Sequence, residues 1–318
     1  MRRRTLLGGL TTIFTGIFTP RAANAADKNE YERRADEYMA KALANFPGEL
    51  IETTGKDAFE KWRGLKTAGR GTPVILGGDE STYSNLFDPF GDNGPHVPLP
   101  PSVESILAAA AKIHFPDDLV KKQTLDEAAA RKSLLERYAK DPDGVMPTIT
   151  EVDAAGNRHI LSKEETWQRI LAQPQEPGLG EWPARIDTSQ DVSPGLSVVT
   201  DYKGNFLSKV HIAVFPTDDW TTIPAYLRFG GWNACPAAEY HVAAMRSWRD
   251  RYGAELVGVA FDTLNLTVQR RPQNRDEALA LAHEQYAYCN DIIEQGTQTF
   301  SSLAAALMAS DWYFFWWD

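Results

Sequence analysis

The last third of the chain, from about Leu207, alternates short apolar runs with segments in which apolar residues recur every three or four positions. Four runs have the length of strands: 210–215, 255–261, 264–268 and 312–317. Helical spacing and helix-ending signals predict three helices: 236–252, 274–289 and 298–308. This order of elements predicts a mixed α/β fold of the α+β type, in which helices pack on a mixed sheet.

The terminal run Trp312–Trp317 has no polar residue between its apolar ones. Such a run is typical of a strand that is covered on both faces, so we expect helices to cover this aromatic strand. In the helix that follows Pro236, a buried stripe is predicted from apolar residues at helical spacing: His241, Ala244, Met245 and Trp248. Gly253 is expected to end that helix.

The preceding part of the chain is richer in helical patterns. Its predicted strands and helices are, in order, 49–53 (strand), 55–65 (helix), 73–76 (strand), 102–113, 117–139 and 162–171 (helices). The chain is therefore divided into a signal segment at 1–25, a helix-rich α/β region at 26–205 and a C-terminal α/β domain at 206–318.

The N-terminus has the pattern of a cleavable export signal. Three arginines precede a weakly apolar run, and Ala23-Asn24-Ala25 supplies small residues for cleavage. The arginines followed by Thr5, Leu6 and Leu7 resemble a twin-arginine signal, with an ordinary secretory signal as the alternative. We expect a periplasmic or secreted protein that is soluble and has no membrane anchor, because no apolar stretch reaches the length of a bilayer span.

Charge excludes further classes of partner. Removal of residues 1–25 takes away four arginines and no acid, which lowers the formal net charge from −10 to −14. Nucleic-acid grooves and anionic lipid surfaces attract clustered Lys and Arg, so an acidic chain is expected to bind neither. An unknown protein or a small molecule of the envelope is the expected partner.

Several motifs of the C-terminal third carry a resemblance to a known family. They are Gly231-Trp232-Asn233-Ala234-Cys235-Pro236, Arg251-Tyr252-Gly253-Ala254-Glu255, Asp262-Thr263-Leu264, Tyr288-Cys289-Asn290-Asp291 and Trp316-Trp317-Asp318. In order and spacing this region resembles the family called domain of unknown function 4253. The resemblance implies a bacterial α/β domain and assigns no reaction.

Cys235 is the first candidate for chemistry. Pro236 suits the first position of a helix, which would make Cys235 the N-cap. There the helix dipole would lower the pKa of the thiol and favour the reactive thiolate. His241 and His283 are the candidate bases, although both lie on stripes predicted to be buried, where histidine more often has a structural role.

Two other interpretations use the same residues. A disulfide between Cys235 and Cys289 is the favoured interpretation, because both thiols would lie in an oxidising compartment, and it would stabilise the fold by about 2–4 kcal/mol. A metal site formed by both cysteines with His241 and His283 is disfavoured, because six residues of helix turn through roughly 600° and leave the ligands on different faces. We therefore predict no metal site and no cofactor.

Aromatic and acidic residues form the last candidate group. Trp232 and other tryptophans could stack on a sugar or a peptide, although core packing is the common use of tryptophan. Glu239, Asp262 and Asp318 are acids that the predicted elements bring into the same region. Asp318, as the last residue, adds a second carboxylate, and the simpler expectation is an ion pair with Arg246, Arg249 or Arg251.

Two classes of function follow. Phosphate-loop, G-x-S-x-G and H-E-x-x-H patterns do not occur in the sequence. A binding or interaction protein of the cell envelope is therefore favoured. The alternative is a thiol-dependent enzyme or a hydrolase centred on Cys235.

Overall fold

The structure, a computed structural model, describes residues 46–78, 101–140, 149–152, 157–172, 176–184 and 195–318. The predicted signal peptide lies outside these ranges. The described residues form two compact units, one made of those up to Phe115 and from Leu179 onward, the other of those between Pro116 and Gly178.

The larger unit is built on a six-stranded sheet with the order β1-β5-β2-β6-β7-β8. Its strands are β1 (Glu49–Thr53), β2 (Thr72–Gly77), β5 (Val210–Phe215), β6 (Glu255–Val259), β7 (Thr263–Thr267) and β8 (Trp312–Trp316). The pairing of β2 with β6 is parallel, and the other pairings are antiparallel. The sheet is therefore mixed, as predicted, and it includes strands from both sides of residue 206.

The helices of this unit are α1 (Ala58–Ala68), α2 (Val103–Ala110), α5 (Ile223–Leu227), α6 (Ala238–Tyr252), α7 (Arg275–Tyr288) and α8 (Phe300–Ala309). Short 3-10 helices cover Ser197–Val199 and Trp220–Thr222, and a π-helix covers Ile292–Thr297. The smaller unit has α3 (Asp117–Lys140), the antiparallel pair β3 (Thr150–Val152) and β4 (Arg158–Ile160), and α4 (Lys163–Ala172).

One face of the sheet packs against α1. Ala58 and Trp62 contact a buried cluster that includes Ile212 of β5 and Val257 of β6. The Trp62 indole N–H donates to the Pro73 carbonyl at 2.7 Å, so this large side chain is buried without an unpaired donor. The cluster therefore joins α1 to β2, β5 and β6, since it also includes Ile75 of β2.

The aromatic strand β8 lies at an edge of the sheet and pairs with β7 along its whole length. Its residues alternate between buried and half-buried positions. Tyr313, Phe315 and Trp317 are the buried set, and the Phe315 ring stacks on Trp248 of α6 at 5.0 Å. Burying aromatic rings of this size is a large favourable contribution to folding. The expected cover is therefore complete on one face of the strand. The other face, with Trp312, Phe314 and Trp316, is half-buried.

The start of α6 differs from the prediction. The N-cap is Ala237, with extended backbone, and the helix begins at Ala238 rather than at Pro236. Its buried stripe and its end at Gly253 are confirmed, since His241, Ala244, Met245 and Trp248 are all fully buried and Gly253 is left-handed. For α7 the predicted cap is also confirmed, because the Asn274 side chain accepts the Glu277 N–H at 2.9 Å.

Candidate functional site

The loop between α5 and α6 positions Cys235. Gly231 N–H donates to the Pro236 carbonyl at 2.9 Å, and the Cys235 N–H donates to the Trp232 carbonyl at 2.9 Å, so the loop folds back on itself. Gly230 has a φ of +92°, and a Cβ there would lie 1.9 Å from the Pro236 oxygen and 2.5 Å from His241 Nε2. Only glycine fits this position, and its small size lets the loop close over His241.

Cys235, His241 and Tyr288 form a chain of polar contacts inside the protein. Cys235 Sγ lies 3.5 Å from His241 Nε2, and His241 Nδ1 shares a short hydrogen bond with the Tyr288 hydroxyl. All three side chains are buried. The surrounding wall is aromatic, with the rings of Phe229 and Trp317 edge-on to His241. A nucleophile, a base and a group that orients the base are thus arranged in the order that thiol catalysis uses.

Burial keeps this chain uncharged. Desolvation raises the pKa of the Cys235 thiol above its ordinary value, and the nearby Cys289 raises it further. Desolvation also lowers the pKa of His241 to about 3. Burial likewise raises the pKa of Tyr288. At neutral pH the group therefore contains a thiol, a neutral imidazole and a phenol, and the predicted lowering of the Cys235 pKa by a helix start is wrong.

The predicted disulfide is not formed in this structure, where Cys235 and Cys289 are both free and buried. Each thiol has its own partner. Cys235 faces His241, and the Cys289 Sγ–H donates to the Trp316 carbonyl at 3.0 Å. Cys289 is the C-cap of α7 and lies beside the terminal strand.

His283 is separated from this group. It is exposed, contrary to the prediction of a buried stripe, and its ring stacks on Phe300 at 3.8 Å. The buried residues of α7 are instead Ala278, Leu281, Ala282, Glu284, Gln285 and Tyr288. The four residues considered as metal ligands are not brought together. Within the described ranges, no cluster of three or more His, Cys, Asp and Glu side chains is placed to hold a metal ion.

Among the described residues, Asp318 forms no ion pair with the expected partners Arg246, Arg249 or Arg251, and the last two pair with other acids. Arg251 Nη1 lies 2.6 Å from Glu284 Oε2, and the Trp248 indole N–H donates to Glu284 Oε1 at 2.5 Å. Arg249 pairs with Asp219 at 3.4 Å and with Asp250 at 2.8 Å. The arginines of α6 thus neutralise acids around that helix, and the buried Glu284 needs Arg251 because an unpaired carboxylate there would be costly.

A second group of candidate residues meets at the surface, and we call it the aromatic-acid patch: Trp232, Asn233, Phe261, Asp262 and Asp318. The Trp232 and Phe261 rings stack at 5.3 Å with an interplanar angle of 5°. The Asn233 side-chain amide donates to Asp318 O at 2.9 Å. The Trp316 indole N–H donates to Asp262 Oδ2 at 3.2 Å, and Trp317 N–H donates to the Asp262 carbonyl at 3.1 Å.

This patch contains three of the four predicted binding residues. Glu239, the fourth, is half-buried in the first turn of α6 and makes no hydrogen bond or ion pair with the described residues. Sequence reasoning missed Phe261, Asn233 and Tyr288. Phe261 and Tyr288 each adjoin a residue that was singled out, but nothing in the pattern showed that they contact the loop that carries Trp232 and Cys235.

The pKa of His241 predicts how stability depends on pH. The imidazole titrates near 6.5 in the unfolded chain and near 3 in the folded protein. Between these values the unfolded chain binds a proton that the folded protein does not, so the stability present above pH 6.5 is lost as the pH falls. At about 1.4 kcal/mol per pH unit, we expect a loss of about 2 kcal/mol between pH 6.5 and pH 5.

Chemical denaturation at these two pH values measures this loss, and His241→Gln should remove it. His283→Gln is the matched control and should keep it, because His283 is exposed. Should His241→Gln fail to fold, NMR of the ring nitrogens in the unmodified protein gives the answer directly. An imidazole that is protonated at pH 5 in the folded protein would contradict the prediction.

Comparison with known proteins gives a family match in the C-terminal third of the chain. No curated protein and no solved structure is similar enough to count as a match. Among the described residues, no helix combines the length and apolar character needed to cross a membrane. Residues 211–318, which contain the Cys235 loop, the patch and β8, match the model of the family described as Domain of unknown function (DUF4253).

Proposed function

We propose that this is an exported binding protein of the cell envelope, and that its ligand docks on the aromatic-acid patch through a positively charged group. The observation that carries the proposal is the stacked pair of Trp232 and Phe261 at the surface. Phe261 is 44% exposed, which leaves a flat apolar ring accessible to a ligand. Cations bind over aromatic faces of this kind, and tryptophan is the strongest of them.

The acids of the patch favour the same class of ligand. Asp262 is held by the Thr263 hydroxyl at 2.8 Å and by the Trp316 indole, and neither Asp262 nor Asp318 has a Lys or Arg partner among the described residues. Other surface acids do have one, such as Asp311, which pairs with Arg271 at 2.7 Å. Two carboxylates without cationic partners beside a tryptophan ring therefore favour a guanidinium or ammonium group.

A peptide pair tests this specificity. We expect acetyl-Gly-Arg-Gly-amide to bind to the patch, and the same peptide with citrulline in place of arginine to bind at least about 5-fold more weakly, because citrulline keeps the shape and loses the charge. NMR titration measures both affinities. Trp232→Ala and Asp262→Asn should each weaken the arginine peptide by a similar factor.

Trp220→Ala is the matched control, because Trp220 is also half-buried but lies in the 3-10 helix Trp220–Thr222. It should leave the affinity unchanged. Equal binding of the arginine and citrulline peptides would overturn the choice of a cationic ligand, and an unchanged affinity in Trp232→Ala would overturn the choice of the patch.

Export is supported by the sequence alone, through the three arginines, the weakly apolar run and the Ala23-Asn24-Ala25 site. We expect the mature protein in the envelope to begin at Ala26, which N-terminal sequencing checks. Replacing Arg3 and Arg4 with lysine should trap the precursor inside the cell if the twin-arginine route is used. An envelope protein that still begins at Met1 would contradict the cleavage.

A thiol-dependent enzyme is the second candidate, and the 3.5 Å contact of Cys235 Sγ with His241 Nε2 favours it. The raised pKa of the buried thiol weighs against it, because the thiolate is the reactive form. We therefore expect both thiols to react slowly with iodoacetamide in the folded protein at pH 7, and both to react in denaturant. Rapid native alkylation of Cys235, detected by peptide mass spectrometry and absent in Cys235→Ser, would favour the enzyme over the binding protein.

A further inference from the structure

A cavity of about 170 Å³ lies along the outer edge of β8. Its walls come from β8, α7, the π-helix and α8. The aliphatic part is formed by Ile292, Leu303, Ala306 and Leu307, and the aromatic part by Trp312, Phe314 and Trp316. The rest of the lining is polar and includes Gln285, Asp291, Gln295, Thr297 and Ser310. A cavity of this size holds a molecule about as large as a benzene ring.

Two residues in the wall of this cavity, Gln285 and Tyr313, each carry a buried polar atom without a hydrogen-bond partner among the described residues. The Tyr313 ring packs against Trp248 and Tyr252. Gln285, on α7, is 1% exposed, and its side-chain Nε2 makes no hydrogen bond with the described residues. A buried donor without an acceptor costs about 1–3 kcal/mol, so a hydrogen-bonded partner is expected wherever one can fit. The Gln285 amide therefore marks a position in the cavity where a ligand would place a hydrogen-bond acceptor.

The charges around the cavity exclude an anion. Among the residues that the structure describes, no Lys, Arg or His lines it, and the charged residue in its wall is Asp291. Both carboxylate oxygens of Asp291 are already used, one by the Gln295 amide at 2.9 Å and the other by Asp318 N–H at 3.1 Å. Because Asp291 is satisfied and negative, the ligand that completes the Gln285 amide must be a neutral acceptor.

The backbone of β8 favours a small molecule over an added peptide strand. A peptide that extends a sheet needs the outward N–H and C=O groups of the edge strand. Here the Trp316 carbonyl already accepts the Cys289 thiol at 3.0 Å, and Trp312 N–H donates to the Ser310 hydroxyl at 3.0 Å. With these two positions occupied by the protein's own side chains, a continuous hydrogen-bonded strand cannot form along this edge.

We propose that this cavity is a binding site for a small, neutral, planar apolar molecule with one hydrogen-bond acceptor, such as an aromatic carbonyl compound, with Gln285 Nε2 as the donor. The flat part of the ligand packs between the aromatic and aliphatic walls. Its acceptor takes the N–H of Gln285. This site adjoins the aromatic-acid patch, because Trp316 lines the cavity and its indole N–H donates to Asp262. It is chemically distinct from the proposed cationic site, since it requires neither charge nor the stacked rings of Trp232 and Phe261.

Two probes of the same shape test the proposal. Acetophenone carries a carbonyl group, and α-methylstyrene has a CH₂ group in place of that oxygen. We expect acetophenone to bind about 5-fold or more tightly, because only the carbonyl accepts the Gln285 N–H. Titrations followed by NMR of the cavity residues in the full chain measure both affinities.

Gln285→Met keeps the length of the side chain and removes the donor. It should bring the two affinities to within about 2-fold of each other, mainly by weakening acetophenone. Gln273→Met is the matched control, because Gln273 is exposed, and it should preserve the difference. Ala306→Leu should exclude both probes by filling the cavity.

Equal binding of the two probes to the unmodified protein would overturn the role of Gln285. Absence of binding of both probes up to their solubility limits would overturn the site. Neither result depends on the arginine peptide, so failure of this proposal and failure of the proposed function can be told apart.

Discussion

The packing of Trp248 and Tyr288 against Phe315 is the interaction on which the rest of the C-terminal region depends. Trp248 belongs to α6, Tyr288 to α7 and Phe315 to β8, and the three rings lie 4.8–5.0 Å apart. All three are fully buried. Aromatic contacts of this kind contribute by burial and by ring geometry, so this one cluster fixes two helices and the last strand relative to each other. The Cys235 loop and the aromatic-acid patch are then positioned by the ends of these elements.

The same burial determines what chemistry the polar groups can perform. His241 and Cys235 border the aromatic cluster, and removal of water there favours the neutral form of both. The contact of Cys235 with His241 thus has the distance of a catalytic pair, but both side chains are uncharged. Glu284 is the contrasting case, since it remains beside Arg251 and accepts the Trp248 indole N–H.

The sequence predicts the elements better than the contacts between them. The run Val210–Phe215 is a strand with the predicted bounds, since five apolar residues and the buried His211 suit an interior strand that is covered on both faces. His241 is a candidate base for Cys235 in the sequence, yet a helix that runs on from Pro236 would not bring the two side chains together. Their six-residue spacing then puts them on different faces, whereas the real chain is extended at Ala237 and returns through Gly230. Such a fold-back depends on tertiary closure, which no local pattern records.

Long-range placement also explains why the patch and the cavity were hidden from pattern analysis. Trp232 lies in the loop after α5, and Phe261 lies just after β6. The two rings stack because the fold brings these two segments together. Gln285 looks like an ordinary polar residue of a helix until α8 and β8 enclose it. In both cases the informative feature is a group that folding leaves unsatisfied: the Phe261 ring is exposed, and the Gln285 amide has no hydrogen-bond partner among the described residues. Binding of another molecule would lower the free energy at either position, because it would bury the exposed ring or give the amide an acceptor.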